Sequence, residues 1–157
     1  MPLPEVCVVF VMRTGADGLE VLLGERLTGT ARGRIVGVGG ALQGEETARD
    51  AAVRGLLEEV GVGVAASDLR EAGVVEWHFP TRRTLSEQAT VFVCRRFTGV
   101  PAATATFAPR WFALAGIPYG RMRADTVRWL PGVLRGGGVD ARFTFGADLS
   151  TVVMEAS

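Results

Sequence analysis

Apolar residues in the first forty positions fall into short runs separated by turn residues, a pattern typical of strands. Residues 6–12 form an unbroken apolar run, which predicts a buried strand. Residues 14–18 contain two glycines and an aspartate and predict a turn, after which residues 19–25 predict a second strand. Residues 28–40 are rich in Gly and Arg. We interpret them as a loop that contains a short strand near residues 35–38.

The second half of the chain repeats the strand pattern. Residues 72–79 and 88–97 predict two long strands joined by the polar, Arg-rich segment 80–87. Shorter apolar stretches predict three more strands, at residues 110–114, 141–145 and 151–154.

One segment between these groups of strands has helical spacing. Thr47 is a suitable N-cap, with Asp50 three positions on, and Gly61 is a natural C-terminal stop. Helical periodicity predicts one apolar face, made of Ala52, Val53, Leu56, Leu57 and Val60.

A second helix is predicted near the C-terminus. Asp125 could cap a helix that runs to Val133, although Pro131 would perturb it. Together, the elements predict an α/β fold in which a mixed β-sheet is sandwiched between helices. The length of 157 residues, without a repeat or linker, predicts a single domain over residues 1–157.

Composition and charge narrow the classes of partner and the cell compartment. The 17 basic and 17 acidic residues balance, so no net field favours nucleic acid or an anionic membrane. No apolar run reaches membrane-spanning length and no secretory leader precedes the first strand, so we expect a cytoplasmic protein. Cys7 and Cys94 lie in apolar runs and are expected to be buried and reduced. The sequence does not indicate an oligomeric state.

The helix over residues 47–61 carries the candidate chemistry. Positions 55, 58 and 59 share a face, so Glu58 and Glu59 project together. Neighbouring carboxylates repel unless a cation neutralises them, and a hard cation such as Mg²⁺ suits oxygen ligands. By themselves, the two residues are more typical of a solvated acidic helix end than of a metal site. His78 is the only histidine, which excludes a His/Cys metal cluster.

The wider pattern around these carboxylates resembles the signature of the Nudix hydrolases. Eight of its nine specified positions fit, namely Gly40, Glu46, Arg54, Leu56, Glu58, Glu59, Gly61 and Val62. The resemblance implies cleavage of a diphosphate linked to a nucleoside or similar group. It also implies that Glu58, Glu59 and Gly40 bind Mg²⁺ or Mn²⁺, and that Arg54 pairs with Glu46 to orient the metal ligands.

Gly55 is the exception, because the family carries a glutamate there that usually binds metal. A mid-helix glycine costs about 1 kcal/mol relative to alanine, so it is not there for helix stability. Three interpretations remain open: weakened catalysis, a substituted residue, or replacement by a carboxylate elsewhere, for which Glu45, Glu76 and Glu87 are candidates. We favour an enzyme with residual or relocated activity.

Segments outside the signature resemble the MutT-type oxidised purine nucleoside triphosphatases within this family. They are residues 21–26, 109–119, 129–131 and 143–145, with Met122 and Asp125. The resemblance implies a substrate site that contains Arg26 near the phosphates, Trp77 and Phe79 flanking the base, Asp125 at the purine edge, and Val36, Gly39 and Gly40. The alternatives are a solvated loop arginine for Arg26, core packing for Trp77 and Phe79, and a helix cap for Asp125.

Four positions depart from those relatives. The relatives carry Asn where Val36 stands, a second Asp where Thr126 stands, a carboxylate roughly at Thr106, and a base-stacking Trp at Arg123. We therefore expect the fold and the phosphate chemistry to carry over better than selectivity for an oxidised guanine.

The sequence thus predicts Mg²⁺-dependent hydrolysis of a nucleoside triphosphate, such as 8-oxo-dGTP or a related purine, to monophosphate and pyrophosphate. The expected partner is a small-molecule nucleotide, with neither nucleic acid nor membrane. One alternative is a nucleotide-binding domain with little catalysis. Another is a hydrolase of a different diphosphate, such as a nucleotide sugar or a capped RNA end.

Overall fold

The computed structural model describes residues 2–157, and a mixed sheet forms its centre. The strands in this part of the chain are β1 (Glu5–Gly15), β2 (Gly18–Arg26), β3 (Ile35–Val36), β4 (Val38–Ala41), β5 (Arg70–His78), β6 (Glu87–Cys94), β7 (Phe107–Ala113), β8 (Val139–Phe145) and β9 (Val152–Ala156). Their order is β3-β2-β1-β6-β5-β8-β9, while β4 pairs with β1 and β7 with β2. The β1–β6 and β5–β8 pairs are parallel and the others antiparallel.

Strand β1 is covered on both faces, as its unbroken apolar run predicts. Cys7, Val9 and Val11 face one apolar cluster, while Phe10 and Met12 face the other. Successive side chains along a strand point to opposite faces of the sheet, so an unbroken apolar run must be covered on both faces.

Helix α1 (Ala48–Val60) covers the first of these faces. Thr47 and Asp50 form a capping box, and the helix ends at Gly61, which has a φ of 75°. The prediction for Leu57 is wrong: its side chain is 61% exposed, whereas Ala51 is 1% exposed and packs inward. Leu57 follows the buried Leu56 by about 100° around the helix, which turns it away from the sheet.

Helix α2 (Thr126–Leu134) covers the opposite face and continues through Pro131. Its buried apolar residues belong to the same core cluster as Phe10 and Met12. These residues are Trp129, Leu130, Val133 and Leu134. Helices therefore lie on both faces of the sheet, which confirms the predicted sandwich. No helix within residues 2–157 combines the length and apolarity that a bilayer crossing needs.

The predicted strands are all present, with shifted ends. The strand predicted over residues 35–38 is divided at Gly37, where a Cβ atom would lie 2.7 Å from Val8. The strand predicted over residues 88–97 ends at Cys94. Cys94 and Cys7 are buried and free, and burial raises the pKa of both thiols, that of Cys94 to about 12.

Candidate active site

A pocket of about 360 Å³ opens between β1, the segment over residues 31–41, and the residues that lead into α2. This volume is within the range of small-molecule sites. We call the group Arg26, Gly39, Glu46, Arg54, Glu58 and Glu59 the acidic end; of these, Arg26 and Gly39 line the pocket, and Arg26 connects the pocket to Glu59. We call the group Trp77, Glu87, Arg123, Asp125 and Trp129 the aromatic end.

Arg54 organises the carboxylates of the acidic end. Its Nε and Nη2 donate to the two carboxylate oxygens of Glu46 at 2.7 and 2.9 Å, and its Nη1 donates to Glu58 Oε2 at 3.0 Å. The hydrogen bond from Arg54 is the main cause that lowers the pKa of Glu46, and it raises the pKa of Arg54. The contact implied between Arg54 and Glu46 is therefore present, and the same guanidinium also binds Glu58.

Arg26 joins the pocket to the carboxylate of Glu59. Its Nη1 donates to Glu59 Oε1, and its Nη2 donates to the carbonyl oxygen of Gly39 at 2.9 Å. A carboxylate and a backbone carbonyl thus converge on one positive group. Gly40, which the resemblance implies as a ligand, is the next residue on the same pocket wall.

The oxygen atoms of the acidic end are of the types that bind a hard divalent cation. Carboxylate oxygens of Glu58 and Glu59 and the Gly39 carbonyl are the ligand types that Mg²⁺ takes, and substrate phosphate oxygens commonly complete its shell. Their number is small, because no group of three or more acidic, His or Cys side chains suited to a metal occurs within residues 2–157.

The carboxylates proposed to replace the glutamate missing at Gly55 lie elsewhere. Glu45 is exposed, and Glu76 contacts His78 at 2.9 Å and Arg142 at 3.5 Å. Glu87 lines the aromatic end. In the described part of the chain, none of them forms a three-carboxylate group with Glu58 and Glu59. At Gly55 itself, a Cβ atom would meet open space.

Asp125 is the buried centre of the aromatic end. Its Oδ2 accepts from Trp77 Nε1 and Trp129 Nε1, both at 2.8 Å. Its Oδ1 is buried and has no hydrogen-bond partner among residues 2–157. Asp125 precedes α2 but its side chain makes no capping bond, so the helix-cap alternative is not supported. The carboxylate instead fixes two indoles of the pocket wall.

Trp77 and Phe79 share a face of β5 and its extension, as alternation predicts, but only Trp77 lines the pocket. Phe79 stacks on Phe145, with ring centroids 4.7 Å apart and planes 13° apart. The substrate role implied for Phe79 is therefore not supported by its position. Phe79 lies just past the end of β5, where the ring of Phe145 receives it. His78 points the other way and contacts Glu76 at 2.9 Å.

The pocket wall also contains six residues outside the predicted site, which are Arg34, Glu87, Met122, Arg123, Thr126 and Trp129. Two of them, Arg123 and Thr126, stand where the resemblance implies base contacts in the relatives. Arg123 lies over the ring of Trp77, with its Cζ 4.4 Å from the centroid. Burial lowers the pKa of Arg123 and raises the pKa of Glu87. Glu87 is paired with Trp77 across the β5–β6 ladder, a relation that only the strand register reveals.

The remaining predicted residues divide between the pocket and its surroundings. Val36, Gly39 and Gly40 line the pocket beside Arg26. Thr106, where relatives carry a carboxylate, interacts with Thr104, their hydroxyl oxygens lying 3.3 Å apart.

Known proteins resemble this chain in sequence and in fold. The NUDIX domain family model matches residues 1–133. The chain is 34% identical over 116 residues to the oxidized purine nucleoside triphosphate hydrolases of Danio rerio and Mus musculus, covering 74% of this chain and 72% of each relative.

Two solved structures share the fold at low identity. The mutator MutT protein of Bacillus halodurans is 18% identical, with a TM-score of 0.81 over 98% of this chain and 97% of that one. The NUDIX domain of Shewanella oneidensis NrtR, solved with ADP ribose, is 14% identical, with a TM-score of 0.69 over 87% of this chain and 88% of that one.

Proposed function

Because the chain belongs to the Nudix hydrolase family, we propose that it hydrolyses a purine nucleoside triphosphate to the monophosphate and pyrophosphate, with Mg²⁺ or Mn²⁺. The observation that carries the proposal is one pocket with two kinds of wall. Arg26, bonded to the Gly39 carbonyl, offers a cation that suits phosphate, and Trp77 and Trp129 form an aromatic wall in the same pocket. The two relatives named as oxidized purine nucleoside triphosphate hydrolases support the substrate class.

Each residue of the acidic end has a role in this proposal. Glu58 and Glu59, with a backbone carbonyl of Gly39 or Gly40 in β4, would hold the cation. A divalent cation there supplies Lewis acidity that stabilises charge on the phosphate oxygens. Arg26 suits a bidentate phosphate contact. Arg54, already bonded to Glu46 and Glu58, keeps the carboxylate of Glu58 in place.

The aromatic end would hold the base. Trp77 and Trp129 provide apolar ring surface, and Asp125 fixes both rings through their N–H groups. Val36 offers no side-chain hydrogen bond, and Thr126 has no charge. Polar sites reject analogues that lack the matching group far more strongly than apolar sites do. We therefore expect less than about a hundredfold preference for 8-oxo-dGTP over dGTP.

A product screen tests the proposal. It measures pyrophosphate from dGTP, 8-oxo-dGTP and dATP, and phosphate monoesters from ADP ribose and a nucleotide sugar, each with Mg²⁺, with Mn²⁺ and with EDTA. We expect metal-dependent pyrophosphate from the purine triphosphates. Phosphate-ester products from ADP ribose or the sugar alone would assign the chain to another diphosphate substrate. A preference of many thousandfold for 8-oxo-dGTP would show that recognition of the oxidised base has been rebuilt on other residues.

A nucleotide-binding protein with little catalysis is the second candidate function. The observation that favours it is Gly55, which leaves two carboxylates on the helix face where the family signature has three. Calorimetry with a nonhydrolysable purine triphosphate distinguishes the two. Micromolar binding, together with no pyrophosphate release above the uncatalysed rate, would favour the binding protein.

A further inference from the structure

Arg123 is a cation in the pocket wall. The side chain is half-buried and lies over Trp77, with Phe79 on a second side at 5.6 Å from its Cζ. Within residues 2–157, its guanidinium makes no hydrogen bond or ion pair, although the carboxylates of Glu87 and Asp125 are near enough to favour its charge. The two rings hold the guanidinium in place beside the pocket, and its N–H groups are free to donate to a ligand there.

Glu87 lies beside Arg123 on the same part of the wall. It is directly opposite Trp77 in the β5–β6 ladder, so the two side chains share a face of the sheet. Arg123 covers the ring of that same Trp77. The pocket therefore carries a fixed donor group and a carboxylate, both next to one indole.

We propose that Arg123 and Glu87 select a purine with a carbonyl oxygen at C6 over a purine with an amino group there. This inference rests on the proposed function, because it names the base that the same pocket accepts. The guanidinium donates to the O6 acceptor, as arginine does in contacts with guanine. The carboxylate of Glu87 accepts from N1–H of the same base, and from the 2-amino group where one is present.

Adenine reverses this hydrogen-bond pattern. Its 6-amino group would place donors against the donors of Arg123, and its N1 would place an acceptor against the Glu87 carboxylate. Both contacts would be lost together, which is a stronger basis for rejection than the loss of one bond.

The test uses the intact protein and three monophosphates, so that it does not depend on hydrolysis. Calorimetry with GMP, IMP and AMP should show GMP and IMP binding roughly 5- to 150-fold more tightly than AMP, the range expected for one good arginine–base pair. IMP is the decisive ligand, because it has O6 and N1–H but lacks the 2-amino group.

Arg123→Met removes the donor to O6 and should reduce the IMP-to-AMP preference at least about fivefold, leaving the part that Glu87 contributes through N1–H. Arg128→Met is the matched control, because Arg128 is exposed and bonds to Glu155 away from the pocket. The IMP-to-AMP preference of Arg128→Met should equal that of the parent. If Arg123→Met unfolds, Arg123→Lys serves instead: it keeps a charge without the planar fork and should lose part of the preference.

Equal binding of IMP and AMP by the parent would overturn the inference, as would an unchanged preference in both Arg123 variants. The absence of measurable binding by all three monophosphates would also overturn it. Failure of the proposed function looks different: no triphosphate would yield pyrophosphate, while the preference for IMP and its reduction in Arg123→Met would remain.

Discussion

The acidic end beside the pocket and the aromatic end of the pocket wall are built in opposite ways. The acidic end comes from one stretch, residues 39–59, joined by Arg26, and its charges are paired and partly open to solvent. The aromatic end comes from β5, β6 and the residues around the start of α2, and its central carboxylate is fully buried. The cluster of carboxylates is thus encoded largely by one local stretch, whereas the aromatic wall exists only after the chain has folded.

The two ends also balance charge differently. Arg26 and Arg54 face three carboxylates at bonding distance. At the aromatic end, Asp125 is satisfied by two neutral N–H groups, while Arg123 has no bonded partner among residues 2–157. In the first arrangement, arginines pair with the carboxylates that would hold the cation. In the second, the donors of Arg123 are the ones that we propose a base accepts.

The largest effect is expected when the carboxylates of the acidic end are neutralised. Glu58→Gln/Glu59→Gln removes both proposed metal ligands while keeping side-chain size, so kcat for pyrophosphate release should fall by about 10²- to 10⁴-fold. Stability should change little, because partly exposed ion pairs contribute little. Glu155→Gln, on the exposed strand β9, is the control. A double variant with parental kcat and parental metal affinity would place the catalytic site elsewhere.

The corresponding change at the aromatic end should mainly affect stability. Asp125→Ala leaves two buried indole N–H groups without an acceptor, and each costs about 1–3 kcal/mol, so the free energy of unfolding should fall by roughly 2–6 kcal/mol. Asp125→Asn keeps an acceptor oxygen and should lose less. Urea unfolding of the three proteins measures the difference. Equal losses in the Ala and Asn variants would show that charge, rather than acceptance from the indoles, is what Asp125 provides.

Restoring the third carboxylate should strengthen the acidic end alone. Gly55→Glu adds a side chain in open space on the face of Glu58, and kcat should rise at least about tenfold. Gly55→Ala is the matched control: it should stabilise the helix by about 1 kcal/mol without raising kcat. An unchanged kcat in well-folded Gly55→Glu would indicate that the present metal geometry does not need a third carboxylate from this helix.

The smallest expected effect concerns the charge of Glu87 and depends on pH. Burial raises the pKa of Glu87 above its unfolded value near 4.5, so in the window between the two values the folded protein binds more protons than the unfolded chain. Its stability contribution is therefore present below the unfolded value and is lost as pH rises through the folded one. Because glutamine does not titrate, Glu87→Gln should not lose this stability as pH rises.

Urea unfolding from about pH 4 to about pH 8 measures that effect. The stability of Glu87→Gln relative to the parent should rise across the window and then stay level. The exposed Glu71→Gln is the control and should follow the parent. A difference that does not vary with pH would mean that Glu87 pays no desolvation cost in the folded protein.

The contrast between the ends also explains what sequence could predict. Strand alternation, the capping box at Thr47 and the spacing of Arg54, Glu58 and Glu59 are local, so the sheet, both helices and the acidic end were predictable. Leu57 was misplaced because an apolar residue beside a buried one need not face the core. Glu87 and Arg123 meet at Trp77 through strand register and a chain reversal, which no spacing in the sequence reveals.

The bonding of Asp125 to two indoles gives the protein an internal optical probe. Two of its three tryptophans, Trp77 and Trp129, lie on the pocket wall with their N–H groups on one carboxylate, while Trp111 lies outside it under Arg13. Indole emission responds to nearby charge and to stacking on a base. Tryptophan fluorescence should therefore change when a nucleotide enters the pocket, which allows occupancy to be followed in real time on the unlabelled protein.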